Sequence, residues 1–69
     1  MIAQLKYDQE SNRLTFGEDS LYCGMGLDVL VADAKGRPRW VQTRLEYGSQ
    51  GWYCVDLPDV QVNGLWARL

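Results

Sequence analysis

Histidine is absent from this 69-residue chain, and cysteine and proline occur only twice each. Without imidazole the chain lacks the commonest general base and the commonest metal ligand. Cys23 and Cys54 form no CxxC pair and have no histidine to complete a ligand set, which argues against zinc. Basic excess is missing too: seven Lys and Arg stand against nine Asp and Glu, for a net charge of −2. Duplex-DNA binders usually carry a clearly basic face, so this balance counts against that class. No apolar run approaches the roughly 20 residues that span a bilayer. The stretch Met1–Asp8 lacks the basic region and apolar core of a signal peptide, so a cytoplasmic location is expected. In such a compartment the two thiols read as small apolar groups in or near the core, ahead of a disulfide between neighbouring strands.

Gly24-Met25-Gly26 is not a phosphate-binding loop. It lacks the Lys-Ser/Thr of a P-loop, and no helix follows it. No serine or cysteine sits beside a base, and Asp28, Glu46 and Asp56 are scattered along strands rather than paired across a cleft. Neither an enzymatic activity nor a cofactor is expected, and no carboxylate spacing suggests calcium.

What is present is aromatic and β-forming. Three Trp, four Tyr and one Phe enrich a chain that is 46% hydrophobic and 23% charged, a folded composition. At this length residues 1–69 make one domain, which buries only about 60% of its unfolded surface. Its organising stretch is Gly26–Asp56. Leu27–Asp33, Arg39–Tyr47 and Trp52–Asp56 are rich in Val, Leu, Tyr, Trp and Thr. They are separated by Ala34-Lys35-Gly36-Arg37-Pro38 and by Gly48-Ser49-Gln50-Gly51, the pattern of a three-stranded meander. A five-residue first connection pairs Val31 with Val41, Val29 with Thr43 and Leu27 with Leu45 on the buried face. It sets Asp28 opposite Arg44 and Ala32 opposite Trp40 on the other. Across the second turn Tyr47 faces Trp52, Leu45 faces Cys54 and Glu46 faces Tyr53.

Ile2–Tyr7 and Arg13–Phe16 alternate as an N-terminal hairpin around the polar turn Asp8–Asn12. Gly17–Ser20 reads as a further turn, and Asn63-Gly64 as a strong one. The last strand, Leu65–Leu69, turns Leu65, Ala67 and Leu69 inward and is expected against the first or second strand. At most one helical turn is expected near 57–61. The fold class is therefore all-β: a small SH3-like barrel of five to six short antiparallel strands built on the meander at residues 27–56.

Tyr7-Asp8, Ser11-Asn12-Arg13, Leu21-Tyr22-Cys23-Gly24, Val29-Leu30-Val31, Trp40, Thr43-Arg44-Leu45-Glu46, Trp52-Tyr53 and Gly64-Leu65 with Arg68 occur in that order. Trp-x-x-Thr-Arg-Leu-Glu followed by Trp-Tyr is the most specific part. Together these elements resemble a family of small bacterial proteins, largely from Firmicutes and often carried on mobile elements, described only as a domain of unknown function. The resemblance spans nearly the whole chain. It implies no activity, cofactor or catalytic residue.

The expected register puts Trp40, Arg44, Tyr53 and Val55 on the outer face, with Trp66 and Arg68 nearby on the last strand. Trp, Tyr and Arg are enriched at binding hot spots. Trp40, Arg44, Tyr53, Trp66 and Arg68 are thus the candidate partner-binding residues of a non-catalytic protein-interaction module. Its partner is another protein or a second copy in a homodimer. An accessory protein of a phage or mobile element belongs to this class, on the resemblance alone. The blander alternative folds the same rings into the core or under the 57–64 loop, with Arg44 in a salt-bridge cluster. A second functional reading binds single-stranded nucleic acid. Bases would stack on the aromatics and phosphates would meet the hairpin tip of Lys35, Arg37 and Arg39. Any solvent-exposed turn tolerates such basic residues.

Overall fold

The computed structural model describes all 69 residues and is entirely β. Seven strands form one antiparallel sheet: β1 (Ile2–Asp8), β2 (Arg13–Phe16), β3 (Asp19–Ser20), β4 (Gly26–Ala32), β5 (Pro38–Gly48), β6 (Gly51–Cys54) and β7 (Trp66–Arg68). Their order across the sheet is β3-β2-β1-β7-β4-β5-β6. The sheet curls into a half-barrel whose edges are β3 and β6. The strand beyond the six expected is β3, a two-residue piece within the segment read as a turn. Gly17, at φ 62°, opens the tight connection that lets Phe16 pair with Asp19. Residues 57–61 form no helix, only a single turn closed by Val60 N–H on Leu57 C=O at 3.1 Å.

The concave side holds the core. Leu5, Leu14, Phe16, Leu21, Leu27, Val29, Leu45, Cys54, Val62 and Ala67 are buried there. Alternation explains the set: Leu5 lies opposite Phe16, Val29 opposite both Val41 and Ala67, and Leu45 opposite Cys54. Thr43 is the one buried polar residue, and its hydroxyl accepts the Asp56 N–H at 3.2 Å. Burial raises the Cys54 thiol pKa, with the nearby Asp56 carboxylate adding to the effect. Cys23 is exposed on the β3–β4 connection, so only one of the two thiols belongs to the core, and both are free.

The β6 register is the expected one, with Tyr47 opposite Trp52 and Glu46 opposite Tyr53. The β4–β5 register is not. Val29, rather than Val31, faces Val41; Leu27 faces Thr43; Gly26, rather than Asp28, faces Arg44; and Leu30 faces Trp40. The connection is shorter than the five residues expected. Gly36 N–H closes a turn on Asp33 C=O at 2.9 Å, Gly36 sits at φ 80°, and Asp33 N–H then bonds Arg37 C=O at 2.7 Å. This is a type I turn followed by a glycine bulge, which leaves only residues 34–36 in the loop. The Asp33 carboxylate accepts from the Lys35 and Arg37 amides at 2.8 and 2.9 Å and locks the turn. Pro38 thus becomes the first residue of a strand, a place where its missing N–H does little harm.

β7 lies between β1 and β4 and ties the N-terminal hairpin to the meander. Ile2 pairs with Arg68 and Ala3 with Ala67, while Asp28 of β4 takes the other side of Arg68. The turn before β7 also docks on β1. Gly64 N–H donates to Leu5 C=O at 2.8 Å, and the Asn63 side-chain oxygen accepts from Tyr7 N–H at 3.1 Å.

Candidate functional site

The five residues expected to share an outer patch do lie on the convex face or its edge, but they form two groups. Strand periodicity places Trp40 and Arg44 about 13 Å apart along β5. Near Trp40, three strands converge. The Arg68 guanidinium stacks over the Trp40 ring at 4.3 Å, and its Nε binds the Asp28 carboxylate at 2.8 Å. Leu30 pairs with Trp40, and continuation of the β4–β7 register sets Trp66 on the far side of Leu30. Ile2 follows Arg68 in the next row. Trp66 is 49% exposed and Ile2 58%, so an apolar strip runs along Trp40, Leu30 and Trp66 with one paired charge beside it.

The second group contains Arg44, Glu46 and Tyr53. Arg44 Nε reaches the Glu46 carboxylate at 3.2 Å, and Glu46 faces Tyr53 across the strands. Tyr53 lies over Gly48, where an added Cβ would stand 3.3 Å from the ring. Arg44 therefore pairs along its own strand, and Asp28 takes its cation from β7 instead. The shifted register is the cause.

At the hairpin tip, Lys35, Arg37 and Arg39 are exposed, but Arg37 Nε lies 3.5 Å from Asp33. The two backbone amides that bind Asp33, with the nearby cations, lower its carboxyl pKa. Arg39 sits opposite Val31, on the concave side of the sheet. A shallow groove of about 490 Å³ runs there between the hairpin and Leu57. The basic tip and the convex aromatics do not share a surface.

A third region carries no residue expected as a binder except Tyr53. A cleft of about 740 Å³ opens between the β5–β6 hairpin, residues 58–63 and Tyr7. Two of its lining residues, Tyr7 and Trp52, are tied together by Asn12, whose backbone adopts φ 56°. Tyr7 O–H donates to the Asn12 side-chain oxygen at 2.6 Å, and the Asn12 amide donates to Tyr47 O–H at 3.0 Å. Trp52 Nε1–H donates to the Asn12 carbonyl at 3.3 Å, and Trp52 meets Tyr47 edge to face at 5.4 Å. These contacts join the β1–β2 turn to the β5–β6 hairpin, drawing the two ends of the sheet together.

No cluster of three or more His, Cys, Asp or Glu side chains is placed to hold a metal ion. No helix is long and apolar enough to cross a membrane. No curated protein matches the chain, and no solved structure does. The family model described as a domain of unknown function (DUF5348) matches residues 3–69, so the chain belongs to that family.

Proposed function

We propose that the protein is a non-catalytic protein-interaction module that binds through its convex face, and that its simplest partner is a second copy of itself. The observation that carries this reading is the half-exposed indole of Trp66 in line with Leu30 and Trp40. Each large ring removed from water at an interface contributes far more than an aliphatic side chain. Arg68 and Asp28 satisfy one another beside the strip, so a partner can cover it without burying an unpaired charge. We read the half-barrel as an SH3-like barrel left open between β3 and β6. The resemblance to bacterial, mobile-element proteins supports an accessory role for a phage or mobile element in the cytoplasm.

The nucleic-acid reading stands second, on the groove beside Lys35, Arg37 and Arg39. Arg37, Arg44 and Arg68 each have a carboxylate within 4.0 Å, which leaves Lys35 and Arg39 as the unpaired cations beside that groove.

Light scattering coupled to size exclusion tests both. A dimer that becomes a monomer in Trp66→Ser, with unchanged circular dichroism, is the expected result. A monomer at every concentration overturns self-association. Co-elution with a fluorescent single-stranded oligonucleotide at low salt, reversed at high salt, would put the nucleic-acid reading first.

A further inference from the structure

β6 is an edge strand with backbone groups left over. Val55 N–H donates to Arg44 C=O at 3.0 Å. Alternation along an antiparallel ladder then makes Glu46–Tyr53 and Gly48–Gly51 the hydrogen-bonded pairs. The Trp52 N–H and C=O and the Cys54 N–H therefore point away from β5. Leu57 bridges Cys54 in antiparallel fashion, its N–H taking the Cys54 carbonyl at 3.0 Å, and Cys54 is fully buried, but no turn or side-chain bond takes up the Trp52 N–H and C=O. Beyond Leu57 the chain does not continue as a neighbouring strand. Val60 N–H closes a turn on Leu57 C=O at 3.1 Å, and residues 58–63 stand off from β6 across the 740 Å³ cleft.

We propose that this cleft accepts an extended peptide from another protein, which adds to β6 as a further strand and places a basic side chain near Asp59. The unpaired N–H and C=O of Trp52 on the edge strand give main-chain affinity, and flanking side chains give selectivity. Tyr7, Trp52, Tyr53, Val60 and Val62 offer apolar walls, and Asp59 is the only charged side chain among the lining residues. That single carboxylate is why the occupant is a cationic peptide and not a second copy. Two copies meeting edge to edge would bring their Asp59 carboxylates into the same seam, where like charges repel. This surface is separate from the Trp40–Leu30–Trp66 strip, so each can fail without the other.

The probe is a capped peptide, acetyl-Thr-Val-Arg-Val-Thr-amide, titrated into ¹⁵N-labelled protein. The expected result is movement of the Trp52 backbone amide resonance and slower hydrogen exchange there. Only alternate amides of an added strand face β6. N-methylation at the two Val residues, or else at the Arg and the Thr residues, should therefore weaken binding about tenfold, and the other pattern should not. Asp59→Asn should weaken the Arg peptide about two- to fivefold and leave its Arg→Gln analogue unchanged. Trp66→Ser should bind the peptide as the parent does. The proposal is overturned if the Trp52 amide does not respond, if both N-methylated peptides bind like the parent, or if the shifts fall on Trp66 and Arg68 instead.

Discussion

Two aromatic regions of this half-barrel use the same residue types to opposite ends. On the convex face, Trp40 is covered by Arg68 and Trp66 is left half in solvent, so the rings rest on a sheet that is already complete. At the cleft, Trp52 packs against the core, meets Tyr47 edge to face and donates to Asn12. There the rings and one asparagine join the ends of the curled sheet. The difference lies in what surrounds each ring. Trp52 is held by the core, by Tyr47 and by the Asn12 carbonyl and leaves part of its ring open to the cleft, whereas Trp66 is half exposed on a finished sheet. A ring of the first kind is structural. One of the second kind is free to meet another molecule.

That contrast is broken most directly by truncating one ring from each region. Trp52→Ala should destabilise the fold by about 3 kcal/mol, at the low end for a tryptophan because the ring is only partly buried. Trp66→Ala should cost under about 1 kcal/mol, as exposed substitutions usually do. Urea unfolding followed by circular dichroism reads both. Equal losses would show that the convex ring is as structural as the cleft ring.

A smaller effect sharpens the convex side. A double-mutant cycle between Arg68 and Trp40, with Arg68→Met and Trp40→Leu, should give a coupling of about 0.5–1 kcal/mol from the cation over the ring. A coupling indistinguishable from zero would mean that Arg68 is held by Asp28 alone. The smallest effect concerns neither region but the turn that sets the convex register. Because folding lowers the Asp33 carboxyl pKa, its contribution to stability is complete above the ordinary aspartate pKa of 3.8. It is lost as pH falls through the depressed folded value. In Asp33→Asn the acid side of the stability profile should flatten slightly, as measured by thermal melts from neutral pH to about pH 2.5. A profile matching the parent's would mean that the turn does not depend on that charge.

The β4–β5 hairpin shows where the sequence could be read and where it could not. Arg37 and Pro38 look like turn residues, and treating them as such moved the pairing by two positions. The hydrophobic pattern could not reveal the slip, because a strand repeats every two residues and Val29, Val31, Val41 and Thr43 keep their faces either way. What changed was partnership. Asp28 lost Arg44 and gained Arg68, while Arg44 turned to Glu46. The β5–β6 hairpin was legible because Gly48 and Gly51 bracket a two-residue loop that admits one register. Among the proposed binders, the outward placement of Trp40, Trp66 and Arg68 followed from alternation. Their convergence did not, because it depends on β7 inserting between β1 and β4. The cleft was hidden for a similar reason: Tyr7 is far in the chain from Trp52 and Asp59 and meets them only when the sheet curls.

By itself, then, the sequence determined an all-β chain, the face each strand turns inward, the tight turns at glycine and a surface poor in net charge. These follow from local steric preference and period-two burial, which act within a few residues. Only the tertiary structure decided which strand β7 joins, which carboxylate each arginine finds, and that Trp52 on the edge strand β6 keeps its backbone groups free beside a cleft. Those outcomes depend on how far the sheet coils before its ends meet, and that is fixed by the packing of all seven strands over one small core.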